Sequence, residues 1–465
     1  MEKVKQNYEE IIEVIFKVCY LLLTLATFIT VIYASPVQPL LVKASLVLGM
    51  VLILIRVVKI RKYAKMPCVI LMVLFCVSFL LTTVMNRQYG ITENGKWVIW
   101  TGIQFFALYV CDVERSEEKY RREFRILSHI MIVCSSIAAL ASIVQLVQVY
   151  SQYITTADGE FIVTGYTWGR LWGVYTDPNY GAVISVISIT LSLLFILQKK
   201  GLIRIAYIVS IILNFVYFVY SDSRTGEIAI VVSVGLFLIL WFSKKKASAK
   251  KIVRFGVPVI LIVCIAAAGF GGMQVMKSQY GKYYAAVSAE RAKNRPKQEV
   301  KKDNSTAGRK QDIQQDVSNG RFALWQSAVE VWETSPVYGA GYSTFVPYAQ
   351  EHTPDTYAVN NDQGNYTSMH NTFFNALAFQ GTIGAVLFVL IALRILTYVL
   401  IPVLKDQSDG SAELAAMLAC TGAVVVSMMF LLEGIYTNSP GSFVLWTFTG
   451  YMVRFAYRKR REGSK

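Results

Sequence analysis

The chain has 465 residues, of which 54% are apolar and only 16% charged, against roughly 25% charged in an ordinary soluble domain. Its 46 Lys and Arg outweigh 30 Asp and Glu, for a formal net charge of +16. The apolar residues gather in runs of about 18–24, the length that crosses a roughly 30 Å hydrocarbon core as a helix, which excludes a soluble Rossmann enzyme, a β-sandwich, a disulfide scaffold and a disordered regulator. The basic residues sit between these runs, where they set membrane orientation rather than bind nucleic acid.

The pattern predicts an all-α integral membrane protein of about twelve transmembrane helices, near 11–34, 39–58, 67–85, 97–111, 126–150, 179–198, 204–220, 225–242, 252–273, 376–401, 413–434 and 442–457. The first run is longer than a signal-peptide core and is followed by others like it, so it reads as a retained helix. The seven cysteines fall in or beside apolar runs without CxxC spacing and read as small core residues. An even count puts both termini on one side. The basic clusters Lys59/Arg61/Lys62/Lys65, Arg121/Arg122/Arg125, Lys199/Lys200/Arg204, Lys244/Lys245/Lys246 and Arg458/Lys459/Arg460/Arg461 fall on that same side, which marks it as cytoplasmic.

Three regions follow: helices 1–9 over 1–273, one long extracytoplasmic loop over 274–375 between helices 9 and 10, and helices 10–12 with a basic cytoplasmic tail over 376–465. Within the loop, 289–318 is almost free of apolar residues and reads as a mobile insertion. Beyond it Asn319 is a candidate N-cap. Leu324, Trp325, Ala328, Val331 and Trp332 recur at helical spacing and predict an amphipathic helix over 320–333, ended by Ser335-Pro336 and a Gly339-Ala340-Gly341 turn.

The chemistry-bearing residues concentrate at the outer ends of helices. Asp177-Pro178 reads as an N-cap with proline at the first helical position, and Arg170 stands just before it, either as a site residue or as an interfacial arginine snorkelling to headgroups. Ser221-Asp222-Ser223-Arg224 is a tight hairpin turn in which Ser223 or Asp222 caps the next helix. Arg224 beside free backbone N–H groups suits a phosphate, the bland alternative being an ordinary polar turn. Arg321 in the first turn of the loop helix, with Trp325 one turn on, offers bidentate donors for a diphosphate. His370-Asn371 precedes the tenth span. His370 is one of three histidines and a candidate general base, or else a structural neighbour of an N-cap; His352 lies in a more polar stretch with no predicted helix to position it. The outer carboxylates Asp158, Glu160, Asp355 and Asp362 form no DxD, and no HExxH occurs, so no metal site and no cofactor are expected. A transporter would carry ionisable residues deep in its spans, whereas His129, Glu227, Arg394 and Glu433 all fall near span ends.

Taken in order, RxWGxxxDPNxG from Arg170, SRTG around Arg224, GRxxLWxxA followed by PxxGxG around Arg321, and HNxFxxxLxxxGxxG from His370 resemble the bacterial O-antigen ligase and polysaccharide polymerase family over roughly 165–390. The resemblance implies a GT-C-like, inverting, metal-independent glycosyltransferase that moves an oligosaccharide from undecaprenyl diphosphate to an acceptor hydroxyl on the outer face of the bacterial cytoplasmic membrane. It implies diphosphate binding for Arg170, Arg224 and Arg321 and acceptor activation for His370, with Asp177, Asn371 and Trp325 in support. A polymerase acting on lipid-linked repeats for capsule, exopolysaccharide or O-antigen is the preferred member, a ligase acting on a lipid A core the alternative, and a lipid-linked oligosaccharide flippase the alternative of another class. The partners expected are the lipid-linked donor, the acceptor glycan, the bilayer, and a chain-length regulator and flippase of the same pathway.

Overall fold

The computed structural model describes residues 2–155, 161–245, 250, 252–293, 320–362, 364–406 and 410–463. It is mostly helical: α1 Glu2–Thr27, α2 Val37–Val58, α3 Val69–Met85, α4 Arg87–Ile103, α5 Glu117–Val147, α6 Pro178–Gln198, α7 Ile203–Ser221, α8 Arg224–Lys245, α9 Val257–Lys293, α10 Arg321–Thr334, α11 Phe345–His352, α12 Thr372–Lys405, α13 Ser411–Met428 and α14 Pro440–Gly463. Helical segments cover most of each expected span, the one expected over 413–434 stopping at Met428. Among the described residues eight helices are long and apolar enough to cross a membrane, the mark of a multi-pass membrane protein.

The departure from an all-α chain is a three-stranded antiparallel sheet, β1 Ser151–Thr155, β2 Phe161–Thr167 and β3 Arg170–Gly173, in what reads from sequence as a plain loop. β2 is rich in β-branched and aromatic residues, which suit a pleated surface. The β2–β3 hairpin closes through Trp168 and Gly169, both at positive φ, as a tight two-residue turn demands.

The chain divides into two compact units. One comprises residues 25–38 and 128–317. Its centre is α6, apolar and buried all round, as a helix with no solvent or lipid face should be. α7 and α8 pack on it so closely that a Cβ at Gly226 would stand 2.9 Å from the Ala182 Cβ and 3.0 Å from the Phe218 ring. α9 does not stop near 273, where the hydropathy falls, but continues to Lys293. The end of α5 explains why. Tyr280 and Tyr283 donate to the carbonyls of Leu146 and Val147 at 2.9 and 2.8 Å, and Arg291 donates to those of Gln148 and Val149 at 2.7 and 2.9 Å. α9 thus supplies donors that the last carbonyls of a helix otherwise lack. Residues 289–293 of the expected insertion therefore lie in α9, while 294–318 and the Asn319 cap lie outside the described residues.

The other unit comprises residues 1–24, 39–127 and 318–465. α12 is broken at Gly381, whose φ of 64° only glycine adopts without strain. The turn 336–341 fills the break: Ala340 and Gly341 donate to the carbonyls of Ala378 and Phe379, and Thr382 donates to that of Pro336, all at 2.8–2.9 Å. Thr82 of α3 and Asn86, which ends that helix, hold the same turn through the carbonyls of Tyr338 and Gly339. This unit also buries a charge network that the sequence reading did not anticipate. Lys17 of α1 pairs with Glu13 and with Glu123 of α5, each at 2.6 Å, while Arg115 pairs with Glu123 at 2.8 Å and Arg56 with Glu13 at 3.4 Å. Each of these side chains is at most 5% exposed, so the expectation that ionisable groups lie near span ends misses this network.

Candidate functional site

In the unit built on α6, the two helix starts singled out by sequence come together. Asp177 is the N-cap of α6, accepting from the Asn179 N–H at 2.6 Å with Pro178 at the first position. Ser223, rather than Asp222, caps α8: its hydroxyl accepts from the Gly226 N–H at 3.1 Å. Asp222 takes the left-handed position that ends α7, a conformation an Asp side chain tolerates. Asn179 joins the two starts, because its side-chain oxygen accepts from the Ser223 hydroxyl at 3.0 Å and from Arg170 Nη2 at 2.8 Å.

Arg170 does not snorkel to headgroups. It is 4% exposed, is carried inward by β3, and donates through Nε to the Ser221 carbonyl at 2.8 Å. Arg224 is the first residue of α8, half-buried, one position past the Ser223 cap. Two helix N-termini, a buried arginine and a first-turn arginine are therefore gathered at one end of this unit, which is what an anion with more than one charge requires.

Two members of this constellation escaped the sequence reading. Asn179 was covered by the DPN motif without a role. Lys277 lay in what read as a loop; its amine meets Asp222 Oδ1 at 2.5 Å and Glu227 Oε1 at 3.8 Å. The recurrence of Met273, Tyr280 and Tyr284 at helical spacing is the signal that would have extended the helix across it.

In the other unit, Arg321 opens α10 after Gly320, which at φ 77° occupies the cap position without a side-chain bond. Its guanidinium lies 5.4 Å from the centre of the Phe430 ring. Trp325, one turn on, stacks on Phe374 of α12 with centroids 5.3 Å apart and so fixes α10 against that helix.

His370 stands immediately before α12, half-buried, with φ 49°. That left-handed backbone is costly for a residue with a Cβ and has to be held from both sides. Ser368 Oγ accepts the His370 N–H at 3.1 Å, and Asn375 Oδ1 accepts the Met369 N–H at 2.7 Å. On the other side Asn371 is the N-cap, accepting from the N–H groups of Phe373 and Phe374 and donating to the Met429 carbonyl at 3.2 Å. Thr372 donates to the Glu433 carbonyl at 2.8 Å. The segment between α13 and α14 is thus the common support of both residues: Phe430 lies against Arg321, and Met429 and Glu433 hold the turn that follows His370. His352, expected without a helix, in fact ends α11, where Tyr89 lies 3.0 Å from its Nε2.

Glu433, which sequence marked only as lying near a span end, is 1% exposed. Its carboxyl accepts from the Ser439 hydroxyl, which in turn accepts the N–H of Ser442 in the first turn of α14 at 3.0 Å.

Residues 208–389 match the family model described as O-Antigen ligase. The matched stretch contains Arg224, Arg321 and His370 with their motifs and leaves Arg170 and Asp177 outside it. The match supports the resemblance carried by the Arg224, Arg321 and His370 motifs, and the members of that family are membrane glycosyltransferase-like ligases and polymerases. No curated protein matches the chain.

Proposed function

We propose that the chain is an inverting, metal-independent glycosyltransferase of GT-C-like, twelve-span architecture in the bacterial cytoplasmic membrane, with both termini cytoplasmic and its site facing outward. It transfers an oligosaccharide from undecaprenyl diphosphate to a sugar hydroxyl of a second lipid-linked repeat, in the manner of a polymerase for capsule, exopolysaccharide or O-antigen. The observation that supports it best is the junction at Asn179, where the starts of α6 and α8 and the two arginines are gathered.

In the transfer step, the acceptor oxygen forms a bond to the anomeric carbon while the bond from that carbon to the diphosphate oxygen breaks. The electron pair leaves with the diphosphate, and the hydroxyl proton passes to the His370 imidazole. Negative charge on the leaving group grows toward the transition state, so cations and helix N-termini placed there lower the barrier rather than merely bind. Arg224, at the start of α8, takes that charge, and Arg321 is a further diphosphate-binding candidate on the resemblance of its motif. Arg170 makes its contribution by holding the Ser221–Ser223 turn and Asn179 in place, since two of its donors already serve them. Asn371 fixes the helix start beside His370, and Trp325 fixes α10, which carries Arg321.

Reconstitution in nanodiscs with an undecaprenyl-diphosphate oligosaccharide tests this reading. Products that remain lipid-linked and lengthen by whole repeats support a polymerase. Products that move only to a different acceptor support the ligase instead, and movement of intact donor across the bilayer without bond formation supports the flippase.

A further inference from the structure

Below the Asp222–Glu227 turn, α7, α8 and α9 enclose an apolar groove of about 300 Å³, lined by residues including Phe215, Phe218, Val231, Ile262, Ala266 and Phe270. Its lining ends at Glu227 on α8 and Met273 on α9. Lys277 stands one helical turn beyond Met273. Its side chain is 13% exposed, and its amine sits between Asp222 and Glu227 as described above. The groove therefore has an apolar body and a charged mouth, and the first-turn Arg224 belongs to the same turn as Asp222.

We propose that Lys277 is a further binding residue of the donor site: it leaves Asp222 to take the diphosphate of a lipid-linked donor whose isoprenoid chain lies in the groove. The proposal rests on the polyprenyl-diphosphate reading above. The charges at the mouth argue for this occupant. A purely apolar chain gains nothing from an ion triad at the end of its groove, whereas an amphiphile with an anionic head matches both parts. Asp222 and Glu227 would repel a diphosphate if left uncovered, so an arriving headgroup competes with Asp222 for the one amine between them. Lysine suits the exchange, because its compact charge rides on a four-carbon stem with rotatable donors. Asp222 acts in this account as a brake on donor binding, and that sets the sign of the test.

The test uses the full chain in nanodiscs with fluorescent undecaprenyl diphosphate and undecaprenyl monophosphate as probes. Lys277→Gln should weaken diphosphate binding by about tenfold and monophosphate binding less, and Lys277→Arg should restore most of the loss. Asp222→Asn, which an end-of-helix left-handed position accepts, should tighten diphosphate binding. The double variant Asp222→Asn/Lys277→Gln removes any penalty of an unpaired buried charge and should still bind weakly. If Lys277 serves only as the structural partner of Asp222, both single variants lose binding and thermal stability alike and the double variant regains them, which overturns the proposal. Unchanged binding by a stably folded Lys277→Gln protein overturns it as well. Failure of the wild-type protein to bind undecaprenyl diphosphate at all would instead sink the donor reading, and the role of Lys277 with it.

Discussion

Asn179 Oδ1 receives a hydrogen bond from Arg170 Nη2 at 2.8 Å, and the same oxygen receives the hydroxyl of the α8 cap, Ser223. One amide oxygen thus ties a strand arginine to the starts of two helices. Replacing Asn179 by Leu keeps the volume and removes the acceptor, leaving a buried guanidinium N–H and a cap hydroxyl without it, at a local cost of about 1–3 kcal/mol. Glycan transfer by purified protein should fall by about tenfold or more while membrane insertion stays near wild type. Asn179→Asp keeps an acceptor but adds negative charge beside the proposed diphosphate. It should fold normally and lose donor affinity, and full donor affinity in that variant would argue against an anion at this junction.

The buried network around Lys17 makes a separate prediction about stability. Lys17→Met leaves Glu13 and Glu123 each short of a cation in a place water does not reach, and breaking a buried pair in this way costs about 3–5 kcal/mol. Thermal unfolding in detergent should register the loss, whereas transfer per folded molecule should be preserved. The pair Glu13–Lys17 is visible in the sequence as an i,i+4 spacing. Its partners Glu123, Arg115 and Arg56 come from distant segments, and no local pattern announces that they share one interior.

Gly381 shows what the motif glycines do. A Cβ there would stand 2.5 Å from the Val337 carbonyl oxygen, and the residue needs φ 64° in any case. Gly381→Ala should reduce the yield of folded protein sharply, since both the left-handed backbone and the seat of the 336–341 turn are lost. A monodisperse Gly381→Ala protein with wild-type melting behaviour would mean that the break in α12 is not needed.

The helices were legible because each carries its own hydrophobic run, and the caps Asp177, Ser223 and Asn371 were legible because capping is local chemistry. The sheet at 151–173 was missed for want of a long alternating pattern, and the reach of α9 to Lys293 because its reasons are carbonyls on α5. Arg170 shows the limit for sites. Its motif marked it, but that its donors go to Ser221 and Asn179 follows only from the fold.

The central claim is that acceptor activation falls to His370, and single-turnover transfer by His370→Gln protein tests it most directly. Glutamine keeps a polar side chain at the left-handed position but has no basic nitrogen. With donor and acceptor saturating, the account predicts a transfer rate lower by about 10²–10⁴ with undecaprenyl-diphosphate binding and melting temperature unchanged. Near wild-type transfer by the correctly inserted variant would contradict it and leave His370 as a neighbour of the Asn371 cap.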